Sequence, residues 1–230
     1  MRSLIDSTSL NLCQPIDMIH TFDMLPVGIV KNINDFYEFC EFVDGSWSGS
    51  GDKKVKYNEQ ILDQIHYPSM VKLMDKQIAN NHAFNFMFLP RGHTHPNFLR
   101  YKEGMHYDWH NDNWILDGMK TDYSITVFLN NPDEYDGGEL EIAVGDSRSE
   151  YKLEAGKAVI YHTGLQHRVK PVISGERRVI TWWMCSMIDN GKHREIIMDL
   201  SRVLAEMGEH PMKGRLETIR CNLIRENATI

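Results

Sequence analysis

Between Phe98 and Met187 the apolar positions fall in short runs rich in Val, Ile, Tyr, Phe and Trp, separated by turn residues. The segments YSITVFLNN, ELEIAV, EYKLEAGKAVIYH, HRVKPV and RRVITWWMCSM, interrupted by PDEYDGG and GDSR, have the composition and spacing of β-strands. Such a closely spaced series folds as a sandwich or barrel. The flanks follow a helical period instead. Asn34 is placed to cap a helix over DFYEFCEFV, and Pro68 to open another through SMVKLMDKQIANN. Between them GSWSGSGDKK is too rich in Gly and Ser for a core segment and is expected as a surface loop, with a lid over a nearby site as its functional reading. Beyond Asn190, the residues Ile196, Ile197, Leu200, Val203 and Leu204 mark one helical face, followed by a break at Gly208 to Pro211 and a second helix from about Leu216 to Arg225. The predicted architecture is mainly β with flanking helices (α+β). It comprises an N-terminal helix/strand region over 1–97, a β core over 98–188 and a helical extension over 189–230, all one globular unit.

The chain has 230 residues, 42% of them hydrophobic and 25% charged, enough for one sizeable core. A formal net charge of −7 with no clustered Lys and Arg argues against nucleic acid as a partner. The densest basic stretch, DKKVKYN at Asp52 to Asn58, is expected as a solvated strand edge. Cys13, Cys40, Cys185 and Cys221 are scattered without C-x-x-C spacing, so neither a zinc knuckle nor a disulfide framework is indicated, and a reducing cytosol fits. The opening MRSLIDSTSLNLCQPID lacks an apolar stretch of signal-peptide length, and no run of eighteen apolar residues occurs. The expectation is a soluble cytoplasmic protein without a membrane partner.

The chemistry concentrates in MHYDWHND, where HYDWHND holds two overlapping copies of His-x-Asp. In an extended strand, alternate side chains share a face about 6.6 Å apart, from a rise of ~3.3 Å per residue. His106, Asp108, His110 and Asp112 therefore all point one way, and periodicity alone leaves open which pair grips an ion. Two imidazoles and one carboxylate suit iron(II) and leave coordination positions open, so a third ligand is needed from elsewhere. His162 and His167 are the candidates, and His167 is preferred because Arg177 follows ten residues later, where neighbouring antiparallel strands would put both in one cavity. A guanidinium there can bind a carboxylate through two parallel hydrogen bonds, which describes a seat for a 2-oxo acid.

Other polar groups read differently. His93 and His95 precede Pro96 with no carboxylate close in sequence, and are expected to be structural or exposed. PDEYDGG lacks calcium-loop spacing and is a strand connection. Trp182 and Trp183 alternate, one into the core and one toward a helix or the cavity, while Thr126 shares a strand face with Ser124 and Phe128, as a core hydroxyl or a neighbour of the cosubstrate.

The stretches RYKEGMHYDWHND, TVFLNNPDEYDGGELEI, KAVIYHTGLQHRVKPVISGERRVITWWMCSM and DLSRVLAEM…LIRE, with VKYNEQI and FNFMFLPRGHTHPNFLRY before them, resemble the PKHD-type group of iron(II)- and 2-oxoglutarate-dependent dioxygenases, within the prolyl-4-hydroxylase-like class. The resemblance runs from about residue 30 onward. It implies a double-stranded β-helix (jelly-roll/cupin-like) core, iron(II), 2-oxoglutarate and O2, with ascorbate as a candidate reductant. It also selects His110 and Asp112, which follow the element R-Y-x-x-G-x-x-Y, with His167 as third ligand and Arg177 as partner of the distal 2-oxoglutarate carboxylate. Tyr101 is implied as a hydroxyl donor to that carboxylate, and Tyr107, Thr126 and Trp183 as candidates for the surroundings. Asp108 and Trp109 depart from a Gly-rich spacer and are expected to narrow the pocket mouth. The implied reaction is hydroxylation of an unactivated C–H bond in a peptidyl side chain, a free amino acid or a small metabolite, with 2-oxoglutarate converted to succinate and CO2. The contrasting hypotheses are a non-catalytic cupin-like module that binds a metal or small acid, and a zinc hydrolase, which leaves Arg177 without a purpose. The C-terminal helices would cover the barrel or join two copies in a homodimer.

Overall fold

The computed structural model describes residues 18–49, 51–62 and 65–229. The expectations placed on the first seventeen residues, including Cys13, lie outside this range.

Two antiparallel sheets form the body. The larger has eight strands in the order Ile19–Asp23, Lys157–His162, Tyr123–Phe128, Arg177–Ser186, Asn97–Tyr101, Glu59–Ile61 and Phe42–Asp44, with Pro90–His93 also paired to Arg177–Ser186. The smaller runs Ser147–Tyr151, Leu140–Val144, His167–Val169, His106–His110 and Lys56–Tyr57. This is the double-stranded β-helix that the family resemblance implies. Strands from the first hundred residues complete both sheets.

The period-two alternation of the large sheet divides two cores. Tyr123, Ile125 and Val127, with Ala158, Ile160, Ile180, Trp182 and Met184, face the helices α1 (Val27–Phe39), α2 (Tyr67–Asn80), α3 (His82–Phe88) and α4 (Gly191–Glu206). Their neighbours Phe128, Val159, Tyr161 and Val179 turn the other way, onto Met105, Leu140, Ile142 and Val169 of the smaller sheet's side. A last helix, α5 (Lys213–Asn227), packs on α4 and extends beyond the predicted 216–225 at both ends. None of the described helices is long and apolar enough to cross a membrane.

Several local expectations are corrected. α1 begins just after Pro26, whose extended backbone and carbonyl start the helix, and not at Asn34. Asn34 sits inside the helix and spends its amide on the carbonyl of Leu129, 2.9 Å away. EYKLEAGKAVIYH is two strands, not one, parted by a turn in which Gly156 takes φ +91° and a Cβ would come within 2.4 Å of the Leu25 carbonyl oxygen. A short hairpin at Ile115–Leu116 and Met119–Lys120 was not anticipated. Its turn residues Asp117 and Gly118 both have positive φ, the conformation that Asp-Gly supplies in a tight hairpin.

Candidate active site

Strand register brings the predicted ligands together. His110 and His167 are direct partners in the small sheet, with ring centroids 4.2 Å apart. Asp112 lies just past the end of its strand, and its carboxylate oxygens stand 3.7 Å from His110 Nε2 and 3.6 Å from His167 Nε2. One ligand atom from each of the three lies within 4.8 Å of the others. The Nδ1 atoms of the two rings meet backbone carbonyls, His110 that of Asp108 at 2.7 Å and His167 that of Leu165 at 3.0 Å. Each Nδ1 therefore carries the proton, and each Nε2 lone pair faces the carboxylate. Burial, reinforced by the neighbouring His167, holds His110 well below the ordinary imidazole value, so it is uncharged at neutral pH.

Asp112 is oriented from behind. Ser124 and Trp183 are cross-strand partners, and both donate to the same carboxylate oxygen, Ser124 Oγ at 2.7 Å and Trp183 Nε1 at 2.8 Å. The second oxygen is left toward His110. Trp182 is fully buried on the helical side, as alternation requires. Thr126 is buried and lines the cavity on the same strand face as Ser124.

Strict alternation fails at one place that matters. His167 pairs with His110, but Val169 pairs with Tyr107, three residues back instead of two. This bulge in the His106–His110 strand turns Tyr107 onto the face of His110, where the rings stack at 3.5 Å with 15° between planes. His106 and Asp108 are consequently kept out of the cluster: the His106 ring meets the carbonyls of Gly104 and Lys54, and Asp108 is exposed. Trp109 does not narrow the mouth. It lies between the guanidinium groups of Arg148 and Arg168, each 5.0 Å from its ring.

The cluster opens on a cavity of about 480 Å³, whose other wall carries Arg177. Arg177 and His167 come from opposite sheets and not from neighbouring strands, a correction to the sequence argument. Arg177 is 1% exposed and, among the described residues, faces no carboxylate at salt-bridge distance; its Nε has no partner among them. Its guanidinium sits 5.0 Å from the ring of Tyr101, its direct cross-strand partner, and 5.4 Å from that of Phe128. Arg178, on the opposite face, is paired with Glu38 and Glu176 at 2.8 and 2.6 Å. Burial raises the phenol of Tyr101, and pushes that of Tyr161 well above its ordinary value, so both remain protonated donors.

Sequence reasoning missed Ser124 as a partner of Asp112, Tyr161 against His167 at 4.9 Å, and Lys56. The DKKVKYN stretch is not uniformly solvated, because Lys56 is 5% exposed and lines the cavity. Burial lowers its ammonium to about 8, partly offset by Asp112, which leaves it charged at neutral pH. His95 also lines the cavity, whereas His93 lies 4.0 Å from Asp75 of α2, a carboxylate remote in sequence. His162 faces away, against Tyr123. The Gly/Ser-rich segment contributes a short 3-10 turn, Ser46–Ser48, with Trp47 and Ser48 at the cavity.

The comparisons fit this geometry. A prolyl-4-hydroxylase of Pseudomonas putida shares the fold with a TM-score of 0.55 and 18% identity, over 74% of this chain and 92% of that one. Residues 96–185, which include every residue of the cluster and Arg177, match the 2OG-Fe(II) oxygenase superfamily. The class is thus an oxygenase that uses iron(II), 2-oxoglutarate and O2. Within it, a relative from Maricaulis maris, a PKHD-type hydroxylase, is 34% identical over 215 residues, 91% of this chain and 98% of its own length. A PKHD-type hydroxylase from Acaryochloris marina is 34% identical over 216 residues, 91% and 99% of the two chains. The chain belongs to the PKHD-type hydroxylases.

Proposed function

We propose that His110, Asp112 and His167 hold the iron, and that Arg177 and Tyr101 hold 2-oxoglutarate, in a hydroxylase acting on an unactivated C–H bond of a peptidyl side chain, a free amino acid or a small metabolite. The observation that carries this reading is one cavity that joins a converging set of metal donors to a buried guanidinium. On one side, two imidazole nitrogens and a carboxylate oxygen converge, a donor set suited to iron(II) that leaves coordination positions open. On the other, a buried guanidinium has no counter-charge at salt-bridge distance among the described residues, which fits the far carboxylate of a dicarboxylic acid.

Iron and 2-oxoglutarate, when bound, would supply the oxidising chemistry with O2, one oxygen atom ending in succinate, formed with CO2, and the other in the product hydroxyl. The chain's own work is positioning. Ser124 and Trp183 fix the carboxylate of Asp112, the backbone carbonyls at Asp108 and Leu165 fix the imidazole tautomers, and Tyr107 holds the His110 ring by stacking. Arg177 binds in a partly dry cavity, where a charged hydrogen bond is stronger than in water. A cytoplasmic setting belongs to the same reading, supported by the free thiols of Cys185 and Cys221.

The test is metal stoichiometry together with release of labelled CO2 from 2-oxoglutarate. The wild type is expected to bind one iron per chain and turn over. Asp112→Ala and His110→Ala are expected to lose both properties while keeping the folded circular-dichroism spectrum. Iron binding without CO2 release, across a peptide and metabolite panel, would favour the non-catalytic module instead.

A further inference from the structure

Lys56 has no role in holding either iron or 2-oxoglutarate in the reading above. It lies on the short strand Lys56–Tyr57, which pairs with the strand bearing Tyr107 and His110, and its side chain is buried in the cavity wall. The ammonium donates to Ser48 Oγ at 2.7 Å and stands 5.1 Å from the Tyr107 ring. Ser48 Oγ in turn lies 2.8 Å from Gln60 Oε1. The chain packs closely over the lysine stem: a Cβ at Gly49 would stand 2.8 Å from Lys56 Cδ and 3.0 Å from Tyr107 Oη. The cation is therefore held in place at the cavity, not left to swing into solvent.

What Lys56 lacks is a counter-charge. Lys53 and Lys102 find carboxylates at 2.9 and 3.2 Å, on Asp44 and Glu59. Among the described residues, none stands within salt-bridge distance of Lys56, and one neutral hydroxyl uses only one of its three N–H donors. A buried cation left in this condition is costly unless an anion joins it. The occupants of the proposed site do not supply that anion. The charges of a ferrous ion and Arg177 are already matched by Asp112 and the two carboxylates of 2-oxoglutarate, so Lys56 remains the surplus cation.

We propose that Lys56 determines specificity by binding a carboxylate on the prime substrate, with Ser48 and Gln60 fixing its ammonium. The inference rests on the iron and 2-oxoglutarate reading above. A carboxylate, not a phosphate, matches a single point charge beside neutral groups, since phosphate sites usually gather several donors.

The experiment uses full-length protein with 13Cε-labelled lysine, loaded with zinc(II) as a diamagnetic substitute and saturated with 2-oxoglutarate. Loss of one signal in Lys56→Gln, or in Lys56→Arg should the first variant not fold, assigns the resonance. Titration with acetate is expected to shift that signal saturably, with a Kd on the order of tens of millimolar. The signal of exposed Lys31 should only drift, and neutral acetamide should leave Lys56 unmoved. A Lys56 signal indifferent to acetate would overturn the proposal. So would one that moves when 2-oxoglutarate is added and is thereafter silent, because the cation would then serve the cosubstrate. Calorimetry on the same sample separates this inference from the reading beneath it: no heat from 2-oxoglutarate removes both, whereas normal heat with a silent Lys56 removes only this one.

Discussion

Arg177→Met removes the guanidinium and keeps an unbranched stem of similar reach between Tyr101, Phe128 and Val172. In a protein whose guanidinium was satisfied internally, this change would break a buried ion pair and cost about 3–5 kcal/mol. Here the group is 1% exposed with no carboxylate at salt-bridge distance among the described residues, so the cosubstrate-free protein should lose little stability or gain some. The loss should appear only on binding. A charge-assisted hydrogen bond is worth about 1.5–3 kcal/mol, which corresponds to roughly a ten- to hundredfold weaker Kd for 2-oxoglutarate. Thermal denaturation of manganese-loaded protein reads both effects. At 2-oxoglutarate a hundredfold above the wild-type Kd, the wild type gains about 2.7 kcal/mol, or roughly 5–10 °C in a chain of this size. At the same concentration the variant should gain about 0.4–1.4 kcal/mol, roughly 1–6 °C. An equal ligand-induced shift in the two proteins would refute the anchor role. A cosubstrate-free variant that melts more than about 10 °C early would refute the claim that Arg177 has no ion-pair partner among the described residues.

Other consequences follow from the same contacts. Trp183→Phe deletes the indole donor to Asp112 and should weaken metal binding about 10–100-fold in competition with a chromophoric chelator, with the fold intact. Gly138→Ala places a Cβ at φ +67°, 3.0 Å from both Arg177 Cδ and Val172 Cγ2, and should cost about 1–3 kcal/mol by denaturant unfolding and weaken 2-oxoglutarate binding as well. His106→Gln combined with Asp108→Asn should leave metal and 2-oxoglutarate affinity within twofold of wild type by calorimetry, since neither side chain faces the cluster. A large loss in that double variant would mean that the other His-x-Asp pair is the metal-binding one.

The parts of this molecule that were legible in its sequence are those controlled by short-range period. Alternation along RRVITWWMCSM separates Arg177 from Arg178 and Trp182 from Trp183, and the structure gives the members of each pair opposite surroundings. Helical spacing located α2 and α4, but the true start of α1 at Pro26 escaped because Asn34 is an acceptable cap whose amide is claimed by Leu129, 95 residues away. Alternation misleads at the cluster itself. It gives His106 and Asp108 the same standing as His110 and Asp112, and only a bulge, created by pairing with His167, removes the first two and inserts Tyr107.

Lys56 shows the limit most clearly. In DKKVKYN it is one of three lysines with nothing local to distinguish it, and Lys53 is indeed 60% exposed at its side chain. Lys56 becomes a cavity residue because its strand pairs with residues about fifty positions later, and because the turn before it folds back across its stem. Both events are tertiary, so no window on the sequence contains the cause. The same reasoning explains why chemistry common to the family was readable and substrate preference was not. Arg177 opens a ten-residue strand, and the candidate ligands fall within motifs that carry the family resemblance, whereas the cavity's distinctive wall is assembled from a two-residue strand, a 3-10 turn and a six-residue hairpin. Such elements have too few residues for a period, and each acquires its side-chain direction only from the strand or loop against which it is packed.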